Sequence, residues 1–360
     1  MKNILYIDTP ISPPGGGQQS LLLILKNIDR NKFNPITMFD SLDTPLKHEL
    51  EKMKIPVLLS KNSFVSIHKI IIQLKPFLIH CNSATTKFTF YSAIVSKLLR
   101  IPFVWHVRVI ESAGWKDKLI AILSTRIIVI SDAVKEKFDW ISNKNKVVKI
   151  HNAVDTRIFK SGLDTEYLLN EFSFKKDIKI IGIFSRIDPW KGHILFFESA
   201  TIIKNSVPDS MFLVVGEGER EYKNQLVNLV KTLGLQNNVI FTGFRKDIPE
   251  LMNLCDVIVN PSIEPEPFGR TIIEAMACGK AVVATKTGGV IETIEDNVTG
   301  ILVPPKDRQA LAQACIYLSE NKQKAAEMSL KGRKRAEEFF STIHIVEKIQ
   351  KIYKDFIKRN

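Results

Sequence analysis

Cysteine is scarce in this chain. Its 360 residues hold four, Cys81, Cys255, Cys278 and Cys315, far apart and never as Cys-x-x-Cys. That spacing excludes a disulfide framework and a cysteine-paired zinc site, and it fits a reducing compartment. Long apolar runs are missing as well. Stretches such as "LLLIL" at 21–25 fall far short of the ~20 residues that cross a bilayer. The opening "MKNILYIDTP" has neither the apolar core nor the small-residue cleavage site of a secretory leader. A cytoplasmic protein is the expectation. Acid is short in one region only: residues 51–100 carry eight Lys/Arg and a single Glu.

What is present is globular: 45% apolar and 25% charged residues, with a net charge of +13. Residues 1–170 hold 24 Lys/Arg against 14 Asp/Glu, so most of the excess sits in the first half. Such a bias suits nucleic acid, an anionic membrane surface, an anionic small substrate, or a solubilising surface. No nucleic-acid motif or interleaving of aromatic and basic residues accompanies it, so no nucleic-acid partner is expected.

Short β-branched runs alternate with segments of helical period from end to end. In the first half the strand candidates are "NILYID", "PITMF", "FLIHCN", "FVWHV" and "RIIVIS", separated by helical patterns at 17–28, 64–75 and 87–99. A polar stretch at about 156–177 reads as a linker. The alternation restarts with "IKIIGIFS", "MFLVVGEG", "NVIFTG", "DVIVNP", "AVVAT" and "GILVP". Repeated βα units predict parallel sheets with helices on both faces. The expectation is an α/β protein of two doubly wound domains, 1–165 and 175–341, facing across a cleft, followed by a helical tail at 342–360. Ligands of such sheets bind at the carboxyl ends of the strands, so the chemistry belongs in the loops that follow them.

The most informative loop is "NPSIEPEPFGRTIIEAMACGKAVVAT". Glu266 and Glu274 stand eight positions apart around a predicted helix start at Gly269, after three prolines and before Gly279. Free N–H groups of Gly269, Arg270 and Thr271 would form an anion site there. A carboxylate accepts two adjacent hydroxyls side by side, so Glu274 suits a ribose and Glu266 a second sugar. Phosphate, ribose and sugar together describe a nucleotide sugar. "FSRIDPWKG" sets Arg186 and Lys191 on either side of a proline turn, which suits a diphosphate. "VVGEGERE" lacks the third glycine of a dinucleotide loop and reads as a tight turn. Gly15, Gly16 and Gly17 lie between the first strand and first helix, where backbone N–H groups can meet phosphate oxygens. His106 ends a strand, while "IHNAVD" and "ISDAVK" read as structural turns, the latter with a Ser131 or Asp132 cap.

Together "EPEPFGRTIIEAMACGKAVVAT", "SRIDPWKG", "PPGGGQQSLL", the "WH" of 105–106 and "HNAVD" resemble the retaining GT-B glycosyltransferases of family 4, group 1. The resemblance implies that Glu274 holds the ribose hydroxyls and that Glu266 binds donor-sugar hydroxyls near the reacting centre. It implies that Arg186 and Lys191 neutralise the diphosphate, helped by backbone N–H groups after Phe268 and by Gly16. His106 would contact the donor sugar and acceptor zone, and Phe244 and Arg245 would lie near the base. No metal or other cofactor is implied, since Arg and Lys replace a divalent ion and no Asp-x-Asp pair is present. The tail, at 342–357, would be a helix crossing back to the first domain. The expected activity is retaining, front-face transfer from a nucleotide-diphosphate sugar, UDP first, to a saccharide or lipid-linked acceptor, with peripheral attachment at the inner membrane face. Ala153 and Gln18 depart from the family pattern, which more often has Gly and an acid there. A glycosidase, a nucleotide-sugar epimerase or phosphorylase, and a non-catalytic sugar-nucleotide-binding protein are the alternatives, each explaining less of the pattern.

Overall fold

A computed structural model describes residues 1–9, 15–41, 45–175 and 177–358. The chain divides into two compact units, Met1–Ala153 with Thr342–Asn360, and Val154–Ser341.

Unit 1 is built on a seven-stranded sheet of β1 (Lys2–Asp8), β2 (Phe33–Phe39), β3 (Val57–Leu59), β4 (Leu78–Cys81), β5 (Phe103–Val107), β6 (Arg126–Val129) and β7 (Val147–Lys149). Its order is β3-β2-β1-β4-β5-β6-β7 and every pairing is parallel. Unit 2 holds β8 (Lys179–Phe184), β9 (Ser210–Val215), β10 (Val239–Gly243), β11 (Val257–Asn260), β12 (Ala281–Thr285) and β13 (Ile301–Val303). They run parallel in the order β10-β9-β8-β11-β12-β13. The strands are continuously apolar because helices cover both faces of each sheet; "FVWHV" and "AVVAT" are buried at every position. β3 and β7 are three-residue edge strands, too short to show a pattern in the sequence.

Each sheet reverses its winding once, between β1 and β4 in unit 1 and between β8 and β11 in unit 2. The register at these points sets Ile7 beside Cys81 and Ile183 beside Val259. The residues that follow each pair leave side by side from the carboxyl edge of the sheet. This is where open α/β sheets bind ligands.

The helix Thr342–Ile357 belongs to unit 1. Ile345, Val346, Ile349, Ile352, Tyr353 and Phe356 recur every three or four residues and join the core that holds Ile4, Tyr6, Leu21 and Phe33. Burying each such side chain contributes roughly 1.5–3 kcal/mol. Lys348, Lys351 and Lys354 occupy the opposite, exposed face.

Residues 154–165 pack with unit 2, although the sequence reading gave them to the first domain. Val154 N–H donates to Phe340 O at 2.8 Å, and Arg333 donates to the carbonyls of Phe159 at 2.8 Å and Thr156 at 3.2 Å. The stretch expected to be a linker carries a helix, Glu166–Glu171, tied to unit 2 by Tyr167 Oη–H donating to Asp247 at 2.8 Å. No described helix is long and apolar enough to cross a membrane.

Candidate functional site

In unit 2 the loops after β8 and β11 meet at the winding reversal. Ile263 N–H donates to Trp190 O at 2.9 Å, which locks the two loops together. Gly192 makes that approach possible. Its φ is +76°, and a Cβ there would stand 1.9 Å from the Pro261 carbonyl oxygen. The short 3-10 turn Pro189–Lys191 therefore lies against the loop that carries Glu266.

The sequence expectation set Lys191 on phosphate and Glu266 on sugar. The structure joins them: Lys191 Nζ is 2.5 Å from Glu266 Oε2, with side chains only 16% and 10% exposed. Ser262 Oγ–H donates to the same carboxylate oxygen at 3.1 Å. The backbone of Glu266 is clamped too: its N–H donates to Thr287 Oγ1 at 3.2 Å and its carbonyl accepts from Gly289 N–H at 2.8 Å. Gly288, at φ +52°, permits the clamp, since a Cβ there would come within 2.3 Å of Glu266 O. The Trp190 ring lies 3.8 Å from Lys191 Nζ and holds the cation from one side.

Arg186 is more exposed and bonds Asp188 at 2.7 Å. It and Lys191 thus each hold a carboxylate, whereas the sequence reading had both aimed at one diphosphate. The helix Arg270–Ala277 begins at Gly269, as the glycine and prolines predict. Thr271 Oγ–H donates to Phe184 O at 3.0 Å, which fixes the helix start against the end of β8. One turn on, Arg270 Nη2 donates to Glu274 Oε1 at 2.7 Å. Burial pushes the Glu274 carboxyl above the usual range, and the Arg270 guanidinium opposes that shift. His193 opens the helix His193–Ser206 that follows the Pro189–Lys191 turn, Ser185 Oγ lies 3.4 Å from its Nε2, and burial lowers its pKa to about 4.

Other sequence candidates are engaged elsewhere. The Phe268 side chain is buried with its ring edge-on to Phe340, so only its backbone can face a ligand. Arg245 is gripped by Asp247 at 2.7 Å and by Glu171 at 2.5 Å, a double bridge that commits it to holding the Glu166–Glu171 helix. Phe244 beside it is 61% exposed and keeps a free face. The turn at Gly216 and Gly218 packs on Ser185 and Ile187 behind the site, as a tight turn should. A cavity of about 530 Å³ opens at the opposite, amino-terminal edge of this sheet, lined by Lys179, Asp256 and Leu318. It lies away from the strand ends that carry the chemistry.

In unit 1 the winding reversal gathers a second polar cluster that the sequence reading missed. Asp8 ends β1 and accepts from Asn82 Nδ2 at 3.0 Å, Ser83 Oγ at 3.0 Å and Thr9 N–H at 2.9 Å. Asn82 Oδ1 accepts from Arg108 Nε at 2.9 Å, while Arg108 Nη1 donates to Asn152 of the "HNAVD" turn. The "ISDAVK" turn is capped by Ser131, whose Oγ accepts from Val134 N–H at 3.2 Å. His106 is 1% exposed, its Nδ1 lying 3.2 Å from His80 Nε2 and 3.3 Å from Arg108 Nη2. Desolvation holds both imidazoles far below their ordinary pKa, His80 at about 3, and the Arg108 charge adds to the effect. Gly16 starts the first helix, Gly16–Asn27, and Gln18 Oε1 accepts from Gly15 N–H at 2.8 Å. The preceding "PISPP" lies outside the described residues. Among the described residues no cluster of three His, Cys, Asp or Glu side chains could hold a metal ion.

Two doubly wound sheets, each with its polar residues at the point of reversal, define the class. The family model for glycosyl transferases group 1 matches residues 164–335, and the likeness to solved structures extends over the whole chain. The chain belongs to this family of glycosyltransferases, with the GT-B fold. It is 30% identical to Anabaena Alr3699/HepE, solved in complex with UDP, with a TM-score of 0.88 over 99% of this chain and 100% of that one. The same Anabaena protein has been solved with UDP-glucose, at a TM-score of 0.87. It is 25% identical to the UDP-Gal:alpha-D-GlcNAc-diphosphoundecaprenol alpha-1,3-galactosyltransferase of Escherichia coli, over 84% of this chain and 81% of that protein. It is 28% identical to the capsular polysaccharide biosynthesis glycosyltransferase CapM of Staphylococcus aureus, over 79% and 78% respectively.

Proposed function

We propose that the chain transfers a sugar from a UDP-sugar to a saccharide or lipid-linked acceptor with retention of configuration. The observation that carries this reading is the nearly buried Lys191–Glu266 pair at the β8/β11 reversal, beside the amino end of the Arg270–Ala277 helix. Lys191 supplies charge for a diphosphate, with Arg186, and the helix start adds backbone N–H groups from Gly269, Arg270 and Thr271. Glu274 accepts from ribose hydroxyls and Glu266 from the sugar. Catalysis in this scheme is stabilisation of the leaving diphosphate, whose oxygen takes the acceptor proton. Arg and Lys do that work without a metal. The solved complexes of the Anabaena relative with UDP and UDP-glucose support the choice of base and donor class, and the names of the bacterial relatives support a saccharide acceptor. A thermal-shift titration tests the reading. UDP and UDP-glucose raise Tm, because a ligand that binds only the native state stabilises it. An unchanged Tm at millimolar UDP removes the donor assignment.

A membrane-bound acceptor is supported by one surface of unit 1. The helices Phe64–Leu74, Lys87–Leu98 and Trp115–Leu123 carry a ladder of rings, Phe64–Tyr91 at 6.3 Å, Tyr91–Phe90 at 6.0 Å and Phe90–Trp115 at 6.4 Å. Val65 is 75% and Trp115 66% exposed beside it, and Lys61, Lys87, Lys116 and Lys118 are exposed around them. Aromatic side chains with flanking lysines suit the interface of an anionic bilayer. Co-sedimentation with phosphatidylglycerol vesicles exceeds that with neutral vesicles and falls in Trp115→Ser. Equal binding to both vesicle types rejects the membrane reading.

A further inference from the structure

A file of buried polar groups runs through unit 1 from the C-terminal helix to the carboxyl edge of the sheet. Tyr6 Oη and Tyr353 Oη lie 3.2 Å apart, and Tyr353 Oη lies 2.6 Å from His80 Nδ1. His80 Nε2 lies 3.2 Å from His106 Nδ1. All four side chains are at most 1% exposed. Each hydroxyl or imidazole can donate or accept, so distances alone leave the direction of the file open.

Arg108 decides it. A guanidinium only donates, and its Nη2 stands 3.3 Å from His106 Nδ1. A proton on that nitrogen would set donor against donor, so His106 Nδ1 is an acceptor. Arg108 cannot turn away to relieve a clash, because Nε and Nη1 are spent on Asn82 Oδ1 and Asn152 Oδ1. Asn82 is fixed in turn, since its Nδ2 donates to Asp8 and to the Gly17 carbonyl. With His106 Nδ1 accepting, His80 must donate from Nε2. His80 Nδ1 then accepts from the Tyr353 hydroxyl, which accepts from Tyr6. Every link points one way, and the file ends on a protonated His106 Nε2.

That atom is buried and meets no acceptor among the described residues. The side-chain nitrogen of Gln18, 3% exposed in the first turn of the helix Gly16–Asn27, is a second buried donor without one among the described residues. A buried donor left unmet costs about 1–3 kcal/mol, so each marks a place for an oxygen acceptor.

We propose that Tyr353 is a positioning residue: by donating to His80 Nδ1 it keeps the His80 proton on Nε2, and so joins Arg108 in holding the proton of His106 on Nε2, where the imidazole presents a hydrogen-bond donor to a substrate oxygen. The neutral state this needs agrees with the depressed basicity of both histidines. The inference rests on the reading of His106 as substrate-facing, and it concerns what fixes that donor.

The test uses the full-length protein with 15N-labelled histidine, its imidazole nitrogens read by long-range 1H–15N correlation. In the wild type at neutral pH, His80 and His106 both show a protonated Nε2 and an unprotonated Nδ1. Tyr353→Phe keeps the ring that meets Phe33 edge-on at 5.5 Å and removes only the hydroxyl. In that variant a fraction of His80 moves its proton to Nδ1, and the His106 signals shift with it. Turnover of UDP-glucose falls about tenfold in kcat, the size expected when one buried hydrogen bond is misdirected, while KM changes little and Tm falls, because the Tyr6 hydroxyl loses its partner. A wild-type His106 protonated on Nδ1, or a Tyr353→Phe spectrum with both imidazoles unchanged, overturns the proposal. The wild-type spectrum alone decides if the variant does not fold. The two readings fail separately, because the tautomers are read without ligand and the donor assignment stands or falls on the UDP thermal shift.

Discussion

The two units place their polar residues at the same topological point and treat charge there in opposite ways. In unit 2 the cations come with carboxylates already attached: Lys191 with Glu266, Arg270 with Glu274, Arg186 with Asp188. In unit 1 the file from Tyr6 to His106 is neutral, and it stops on a donor that meets no acceptor among the described residues. A ligand entering unit 2 must compete with an internal partner, and its phosphate can do so only by bringing charge of its own. A ligand meeting unit 1 displaces no described partner of His106 Nε2 and has only to supply an oxygen. The first arrangement selects for charge, the second for hydrogen-bond direction.

The largest test of this contrast is Lys191→Ala. It strips Glu266 of its counter-ion at a site 10% exposed, and breaking a buried pair from one side costs on the order of 3 kcal/mol, with Ser262 left as partial compensation. Transfer from UDP-glucose falls by roughly 10²–10³, as expected when a charge that stabilises the leaving group is lost. Adding Glu266→Gln restores most of the stability and none of the turnover. Normal turnover in the single variant would break the contrast at its root.

A smaller test uses acid. The folded pKa values of His80 (about 3) and His193 (about 4) lie below the unfolded value near 6.5, and burial holds that of His106 well below it too. As pH falls below 6.5 the unfolded chain binds protons that the folded chain refuses, so stability declines, for His80 alone by ~1.4 kcal/mol per pH unit. Two of these histidines are in unit 1 and one in unit 2. Asp8, Asp40 and Glu274, pushed up by burial, act in the opposite sense, two in unit 1 and one in unit 2, and offset part of the difference. Amide exchange between pH 7 and pH 5, corrected for intrinsic rates, shows unit 1 losing more protection than unit 2. An equal or greater loss in unit 2 would contradict the assignment.

Much of this was legible in the sequence where the signal was local. All six strands of unit 2 announced themselves as apolar runs, because parallel strands covered on both faces leave no polar alternation. Gly269 and the prolines before it marked the helix start that carries Glu274. What could not be read was adjacency created by topology. Asp8 and Asn82 are neighbours only because β4 pairs with β1, and nothing near either residue says so. Arg108 and Asn152 meet for the same reason, across 44 positions. Arg245 shows the converse. The resemblance placed it near the base, and the structure engages it instead with Asp247 two residues on and with Glu171, 74 residues away.

The helix Thr342–Ile357 has a consequence for how the protein is made. Tyr353 and its neighbours complete the core of a unit whose other strands lie in the first 150 residues. On a ribosome the amino-terminal sheet must wait, unsealed along one face, until all of unit 2 has been synthesised. The order of emergence is thus the reverse of the order of completion, and the middle of the chain can close before its beginning does.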